Sequence, residues 1–325
     1  MRAIFRLGTI ALVLFSLLVF WNNTSYLVAP AQSRGTLVAH RGVHQTFTSD
    51  GLTNESCTAT MIFPPEHEFI ENTIASIGEA FRLGADVVEI DIHPTTDGQF
   101  AVFHDWTLDC RTDGTGVTRE RSMAYLKTLD LGYGYTADGG MTFPLRGKGI
   151  GLMPALDEVF EAFPGRHFSV NLKSDDIAEG ELLVGRLSRM SEDQRALLTF
   201  WVPGDTLYAM LRDEFPTLPL LNGKAARDCL KRYALWGWMG FVPSDCRLNG
   251  LVIPLDYAPY LWGYPERLRA RMNEAGAEVV LLPSYREGVF DTTFDDPAEL
   301  DGIPFGYGIW TDKIEIVGPA WRGGG

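Results

Sequence analysis

Cations are scarce in this sequence. Lysine and arginine number 28 against 42 aspartates and glutamates, which leaves a formal net charge of -14 over 325 residues. Binding to nucleic acid rests on Lys and Arg set against phosphates, so that balance argues against a nucleic-acid partner. Electrostatic docking on an anionic lipid surface is disfavoured for the same reason. A small anionic substrate stays open, provided a metal and a few cations reverse the sign locally. Cysteines are few, and no CxxC pair or Cys/His spacing of the structural-zinc kind occurs. No GxGxxG or Walker sequence opens the first strand–helix unit, which removes nucleotide-binding α/β folds. No internal repeat is visible. Long apolar runs are missing too, with one exception at the N-terminus.

That exception runs from Leu7 to Trp21, interrupted by Gly8, Thr9 and Ser16, with Arg2 and Arg6 before it. It reaches spanning length if Ile4, Phe5 and Tyr26 to Val28 contribute. A cleaved signal peptide with Ala29-Pro30-Ala31 as the cleavage site is the alternative, but that site lies far from the run. We therefore read 1–31 as an uncleaved membrane anchor or a signal peptide, with the anchor favoured. The leading arginines place the N-terminus in the cytoplasm and residues 32–325 outside it: on the cell membrane through a single pass, or else periplasmic or secreted. Four cysteines suit that compartment, and three pairings are open to them. Cys229 and Cys246 are near in sequence, which leaves Cys57 for Cys110.

From residue 37 onward, strand-like and helix-like segments alternate. Strands are expected at Leu37–Ala39, across 86–105, at His167–Leu172, Ala196–Val202, Leu218–Leu221, Leu251–Leu255, Glu278–Leu282 and Tyr307–Trp310. Helices are expected at Glu71–Leu83, Pro154–Phe163, around 177–190, at Asp205–Asp213 and at Pro265–Gly276. Eight or so strands, most followed by a helix, fit a (β/α)8 TIM barrel in the α/β class better than an open sheet.

The stretch 86–105 organises the rest. Glu89 and Asp91 alternate with Val88, Ile90 and Ile92, and period two aims both carboxylates to one side of a strand. A turn at Asp97-Gly98 and a second strand then deliver His104 and Asp105. His40, Glu89, Asp91, His104 and Lys173 all fall at or near strand C-terminal ends, the face on which barrels build active sites. Glu89 and Asp91 supply oxygen ligands for a hard divalent ion. Two histidines would serve as acid and base.

His40-Arg41-Gly42, Glu71-Asn72-Thr73, Glu89-x-Asp91, Thr96-Asp97-Gly98, His104-Asp105 and Leu108-x-x-Arg111-Thr112 occur in one fixed order. In this the sequence resembles the glycerophosphodiester phosphodiesterases, metal-dependent barrel enzymes, from about residue 37 to the Gly308-Ile309-Trp310-Thr311-Asp312 stretch. The resemblance implies that His40 and His104 are the catalytic acid/base pair and that Arg41, Lys173 and Trp310 contact the substrate or its phosphate. It implies Mg2+ or Ca2+ as the cation. Glu71 and Asn72 border the site in that family, although capping of the following helix is the plainer role. Asp105 and Arg111 are expected to orient their neighbours.

Two departures stand out. The family usually carries Glu-x-Lys on the strand at 167–172, the Glu being its third metal ligand; here the position is Asn171, followed by Leu172-Lys173. An amide oxygen can ligate either cation but brings no charge. The second is an insertion at 43–70, which holds His44, Phe47, Cys57, Met61, Phe63, Pro64, Pro65 and His67. It leaves a strand end on the catalytic face and is expected to form a lid, with His44 and His67 as polar lid residues rather than ligands. Trp201, Tyr257 and Trp262 read as packing more than as pocket. Three functions follow. They are hydrolysis of small glycerophosphodiesters, lysophospholipase D-like cleavage of membrane lipid, and a binding protein weakened in catalysis by Asn171.

Overall fold

The computed structural model describes residues 2–48, 52, 56–284 and 293–323. Its strands are β1 (Leu37–Ala39), β2 (Val87–Pro94), β3 (Phe100–Val102), β4 (His167–Leu172), β5 (Leu198–Trp201), β6 (Leu220–Leu221), β7 (Leu251–Pro254), β8 (Val279–Leu282) and β9 (Gly308–Thr311). The α-helices are α1 (Arg2–Asn23), α2 (Ile74–Arg82), α3 (Met123–Leu126), α4 (Leu156–Ala162), α5 (Ile177–Leu187), α6 (Glu192–Arg195), α7 (Asp205–Glu214), α8 (Gly223–Trp236), α9 (Glu266–Glu274) and α10 (Ile314–Gly323).

All strands except β3 follow one parallel path in the order β6-β5-β4-β2-β1-β9-β8-β7. Between β6 and β7 the ring is joined by the single bridge Leu220↔Asn249, with the Gly250 amide donating to the Leu220 carbonyl at 2.9 Å. The TIM barrel expected from the sequence is therefore present and nearly closed. β3 folds back antiparallel on the end of β2, in register from Ile92↔Val102 to Pro94↔Phe100.

A barrel strand is covered on both sides, and β2 shows the consequence. Val88, Ile90 and Ile92 join the core that includes Ile77, Phe81 and Phe168, while Glu89, Asp91 and His93 alternate with them and are equally buried. A second cluster of Phe103, Leu108, Met123, Leu126, Tyr135 and Leu145 turns the Gly-rich stretch after β3 into a packed extension rather than a loose loop.

Both disulfides form as expected, Cys57–Cys110 and Cys229–Cys246. The helix expected from Glu71 begins at Ile74, because Thr73 caps it: its hydroxyl accepts from the Ser76 amide, and Ser76 returns the bond. Glu71 and Asn72 are thereby released for other work. Helices α8 and α10 were not foreseen. The buried stripe of α8 is Ala226, Cys229 and Tyr233, a weak apolar signal in a charged stretch.

Candidate active site

The groups of the cleft come from within β2 and from the segments that follow β1, β3, β4 and β9. His40 follows β1, and its backbone amide donates to the Thr311 carbonyl of β9 at 3.1 Å. Its Nδ1 lies 2.6 Å from Asp312 Oδ1, while Nε2 stands 3.8 Å from Glu89 Oε2. His104 follows β3, and its Nδ1 lies 2.7 Å from Asp105 Oδ1. Both imidazoles are thus held by a carboxylate at Nδ1, which fixes the ring and leaves Nε2 free for chemistry. Burial, then the Arg41 and Lys173 charges, hold the His104 pKa below its ordinary value, so the ring is neutral at physiological pH.

The two carboxylates of β2 have opposite surroundings. Asp91 accepts from Lys173 Nζ at 2.6 Å and Asn171 Nδ2 at 3.0 Å through one oxygen. Its other oxygen accepts from Asn72 Nδ2 at 3.0 Å and faces Arg41 Nε at 3.3 Å. Burial opposes its charge, yet Lys173, His104 and Arg41 outweigh burial and keep its pKa well below the ordinary range. Glu89 is buried beside it, and Oε2 has no hydrogen-bond partner among the described residues. Burial first and the Asp91 charge second push it up to about 7.

Behind this pair runs a chain of alternating charge. Arg41 Nη1 donates to Glu71 Oε1 at 3.1 Å, and Arg111 Nη1 donates to Glu71 Oε2 at 2.9 Å. Arg111 Nε then donates to Asp105 Oδ2 at 2.9 Å, which closes the line to His104. Burial disfavours the Glu71 charge, but the two arginines bring its pKa down to about 2. Arg41 takes φ 56° and Asn72 φ 58°, both in the left-handed region. Gly42 between β1 and α2 has φ 82°, and a Cβ there would come within 2.7 Å of Ser76 Oγ.

Among the expected residues, His40, Arg41, Glu71, Asn72, Glu89, Asp91, His104, Asp105, Arg111, Asn171 and Lys173 are linked by direct contacts. Trp310 joins them edge-on to His40, with ring centroids 5.8 Å apart, and Trp201 packs on Trp310 at 5.5 Å. These two indoles form an apolar wall beside the charged groups. Trp262 instead donates to the Ala234 carbonyl, in keeping with packing. Glu71 and Asn72 clamp the site rather than cap a helix. Asn171 points its amide nitrogen at Asp91, so a role as ligand requires its oxygen to face the ion.

A fit with a hard divalent cation rests on Glu89. A buried carboxylate oxygen without a partner, next to a second carboxylate and a side-chain amide, is an oxygen-ligand set suited to Mg2+ or Ca2+.

Residues 40–201 match the glycerophosphoryl diester phosphodiesterase family. The chain belongs to that family. It is 39% identical over 103 residues to a glycerophosphodiester phosphodiesterase of Caldanaerobacter subterraneus subsp. tengcongensis, an alignment that covers 32% of this chain and 39% of that protein. A Bacillus subtilis glycerophosphodiester phosphodiesterase is 29% identical over 242 residues, covering 65% of this chain and 73% of the relative. An Oleispira antarctica phosphodiesterase solved with its product sn-glycerol-3-phosphate shares the fold, with a TM-score of 0.54 at 20% identity over 87% of this chain and 96% of that one.

Three residues of this family member escaped the reading of its sequence as site residues. Asp312 was quoted only within the closing strand motif, yet it holds His40. His44, expected as a polar lid residue, is fully buried, with Nδ1 donating to the Gln45 carbonyl at 3.0 Å and Nε2 3.5 Å from Asp312 Oδ1. Burial opposes its protonation, but Asp312 outweighs burial and raises its pKa. His40, His44 and Asp312 place their ligand-capable atoms within 4.8 Å of one another. His93 extends the Glu89–Asp91 alternation by one more step, and that period was the signal for it. Its Nε2 lies 3.3 Å from the His104 carbonyl.

Proposed function

We propose that this chain is a phosphoric diester hydrolase that cleaves glycerophosphodiesters to glycerol phosphate and an alcohol, with His40 and His104 as the acid/base pair. One observation carries the reading: two imidazoles, each oriented by its own carboxylate at 2.6 and 2.7 Å, share a cleft with the Glu89–Asp91 pair. The named relatives and the product bound to the Oleispira antarctica enzyme support the substrate class.

Glu89, Asp91 and Asn171 would hold a divalent cation, which supplies charge neutralisation at the phosphate oxygens when bound. The rest falls to the chain. Arg41 and Lys173, already aimed into the cleft by Asp91, bind the diester's non-bridging oxygens. Neutral His104 takes the proton of the glycerol hydroxyl next to the phosphate as its oxygen bonds to phosphorus. His40, held by Asp312, gives a proton to the departing alcohol oxygen as that P–O bond breaks. Water then opens the cyclic phosphate with the roles reversed. Trp310 and Trp201 receive the alcohol portion.

The lid and anchor belong to the same reading. Segment 43–70 is tied to the site through Cys57–Cys110 and through Thr58 Oγ1, which accepts from Arg111 Nη2 at 2.5 Å. Its residues 49–51 and 53–55 lie outside the described ones. Residues 1–31 form an uncleaved anchor and 32–325 the catalytic body outside the cytoplasm. Helix α1 is long and apolar enough to cross a membrane, and both disulfides suit an oxidising compartment.

The test is hydrolysis of glycerophosphocholine, glycerophosphoethanolamine and a short-chain phospholipid after chelation and re-addition of Mg2+ or Ca2+. Cation-dependent release of glycerol phosphate, abolished in His104→Ala, is expected. Preference for the phospholipid would favour the lipid-cleaving alternative, for which the apolar helix speaks. No turnover under any condition would leave a binding protein.

A further inference from the structure

Helix α1 is not a free-standing tail. At its C-terminal end, Asn22 Nδ2 and Asn23 Nδ2 donate to the Trp238 carbonyl at 3.0 and 2.6 Å. Arg271 answers from the last turn of α9, donating to Asn23 Oδ1 at 3.0 Å and to the Asn22 carbonyl at 2.8 Å. Farther up the helix, the Phe15 ring packs on the Trp238 ring at 5.3 Å. Phe15 precedes Asn23 by two turns, or about 12 Å along the axis. The segment after α8 therefore runs beside the last two turns of α1, at the depth those turns occupy.

The end of α8 and that segment carry large apolar side chains left exposed by the described residues. Leu235, Trp236, Met239 and Phe241 are 61%, 45%, 48% and 52% exposed. Lys231 and Arg232, both exposed, lie one turn before Leu235 and Trp236 on α8 and so share their faces. Apolar and indole side chains with basic residues just above them match the order of groups at a membrane–water boundary. The backbone beneath is braced. Cys229–Cys246 ties α8 down, Tyr233 OH donates to the Trp262 carbonyl at 2.7 Å, and Arg271 Nη1 donates to the Gly237 carbonyl at 3.0 Å.

We propose that the ridge Leu235–Phe241 is a membrane-docking surface, which sinks into the lipid boundary beside the end of α1. The proposal rests on the reading of α1 as an anchor. Continuity with α1 argues for lipid as the occupant, because any bilayer around Phe15 meets Trp238 at the same depth. The ridge follows the C-terminus of a barrel helix, whereas His40 and Lys173 directly follow the C-termini of barrel strands β1 and β4 and hold Glu89 and Asp91 in contact there; in a (β/α)8 barrel these are opposite ends. Docked this way, the cleft opens to water. The substrate class is then a soluble glycerophosphodiester rather than a phospholipid of the same membrane.

All four native cysteines are bridged, so one introduced cysteine takes a nitroxide label uniquely. The full chain would be placed in phosphatidylethanolamine/phosphatidylglycerol vesicles with the label at Met239→Cys, at Leu14→Cys within α1, or at Met141→Cys, which is 81% exposed and lies in the extension after β3. Collisions with oxygen, concentrated in lipid, are compared with those of a water-soluble nickel chelate. An oxygen-to-nickel ratio several-fold higher at 239 than at 141, with 14 also high, is expected. A high ratio at 14 with a low one at 239 overturns the proposal and leaves the anchor standing. A low ratio at 14 overturns the anchor reading and the docking with it. Protection of 239 from both reagents, with dilution-sensitive broadening, would mean that a second copy covers the ridge, and also overturns it.

Discussion

Removing the charge of Glu89 should stabilise the cation-free protein while abolishing its activity. Glu89 is buried, its Oε2 has no hydrogen-bond partner among the described residues, and its pKa is raised from 4.5 to about 7. A carboxyl raised in the fold holds its proton more tightly there than in the unfolded chain. Its penalty is absent below pH 4.5, grows between the two values and is complete above about 7. At roughly 1.4 kcal/mol per pH unit, that gap corresponds to about 3 kcal/mol. Glu89→Gln removes the charge but leaves a buried amide worth about 1–2 kcal/mol of lost hydrogen bonding. The net expectation is a gain of about 1–2 kcal/mol in chelator above pH 7, which vanishes or reverses below pH 4.5. Added Mg2+ or Ca2+ should then stabilise the wild type by about 2.7 kcal/mol at a hundredfold excess over Kd, and the variant far less. Thermal or urea unfolding across pH, with and without cation, reads all of this. A variant less stable than the wild type in chelator above pH 7, or an unchanged response to cation, would refute the reasoning.

Asp312→Asn should lower kcat on glycerophosphocholine on the order of a thousandfold, because an amide can neither fix the His40 tautomer nor balance its cation, and should also cost stability, because His40 and the buried His44 lose their carboxylate; turnover within a few-fold of wild type would count against that role. Arg111→Ala strips Glu71 and Asp105 of a buried partner, and a loss of about 3–5 kcal/mol is expected in denaturant titrations. The paired change Cys57→Ser with Cys110→Ser opens a closure of 53 residues and should lower stability by about 2–4 kcal/mol, read by unfolding with and without reductant. Asn171→Glu should tighten cation binding in calorimetry yet raise KM for an anionic diester.

The parts of this molecule legible in its sequence are those that repeat a local rule. Strand β4 was placed to the residue, since His167–Leu172 is bounded by a turn and a charged loop. Glu89 and Asp91 declared themselves by alternating with three apolar residues. Illegible were the roles decided by through-space partners. Glu71 reads as a residue at a helix start, and only the fold shows it gripping Arg41 and Arg111 from two different loops. Asp312 lies 272 residues from His40, and no spacing rule joins them; barrel closure of β9 on β1 does. Helix α8 was missed because two of the three residues in its stripe are Cys229 and Tyr233, and its burial depends on a bridge to Cys246.

Asn171 looks like a defect until the charges around it are counted. The site gathers five carboxylates, Glu71, Glu89, Asp91, Asp105 and Asp312. Against them stand three permanent cations, Arg41, Arg111 and Lys173, and His40 when it carries the proton that the proposed reaction takes from it. With that proton on His40 and all five carboxylates ionised the protein is about one negative charge in excess, and a divalent cation turns the excess to about one positive. A glutamate at 171 would return the loaded site to neutrality. Since Lys173 and Asn171 already share one Asp91 oxygen at 2.6 and 3.0 Å, a carboxylate there would also face Asp91 across the β2–β4 register. Like charges at that distance in a buried cleft repel strongly unless the cation is in place. The asparagine thus gives up cation affinity and keeps a net attraction for an anionic diester, in a protein whose total charge of -14 offers none elsewhere. The same count explains why a glutamate here should raise KM even as it tightens the metal.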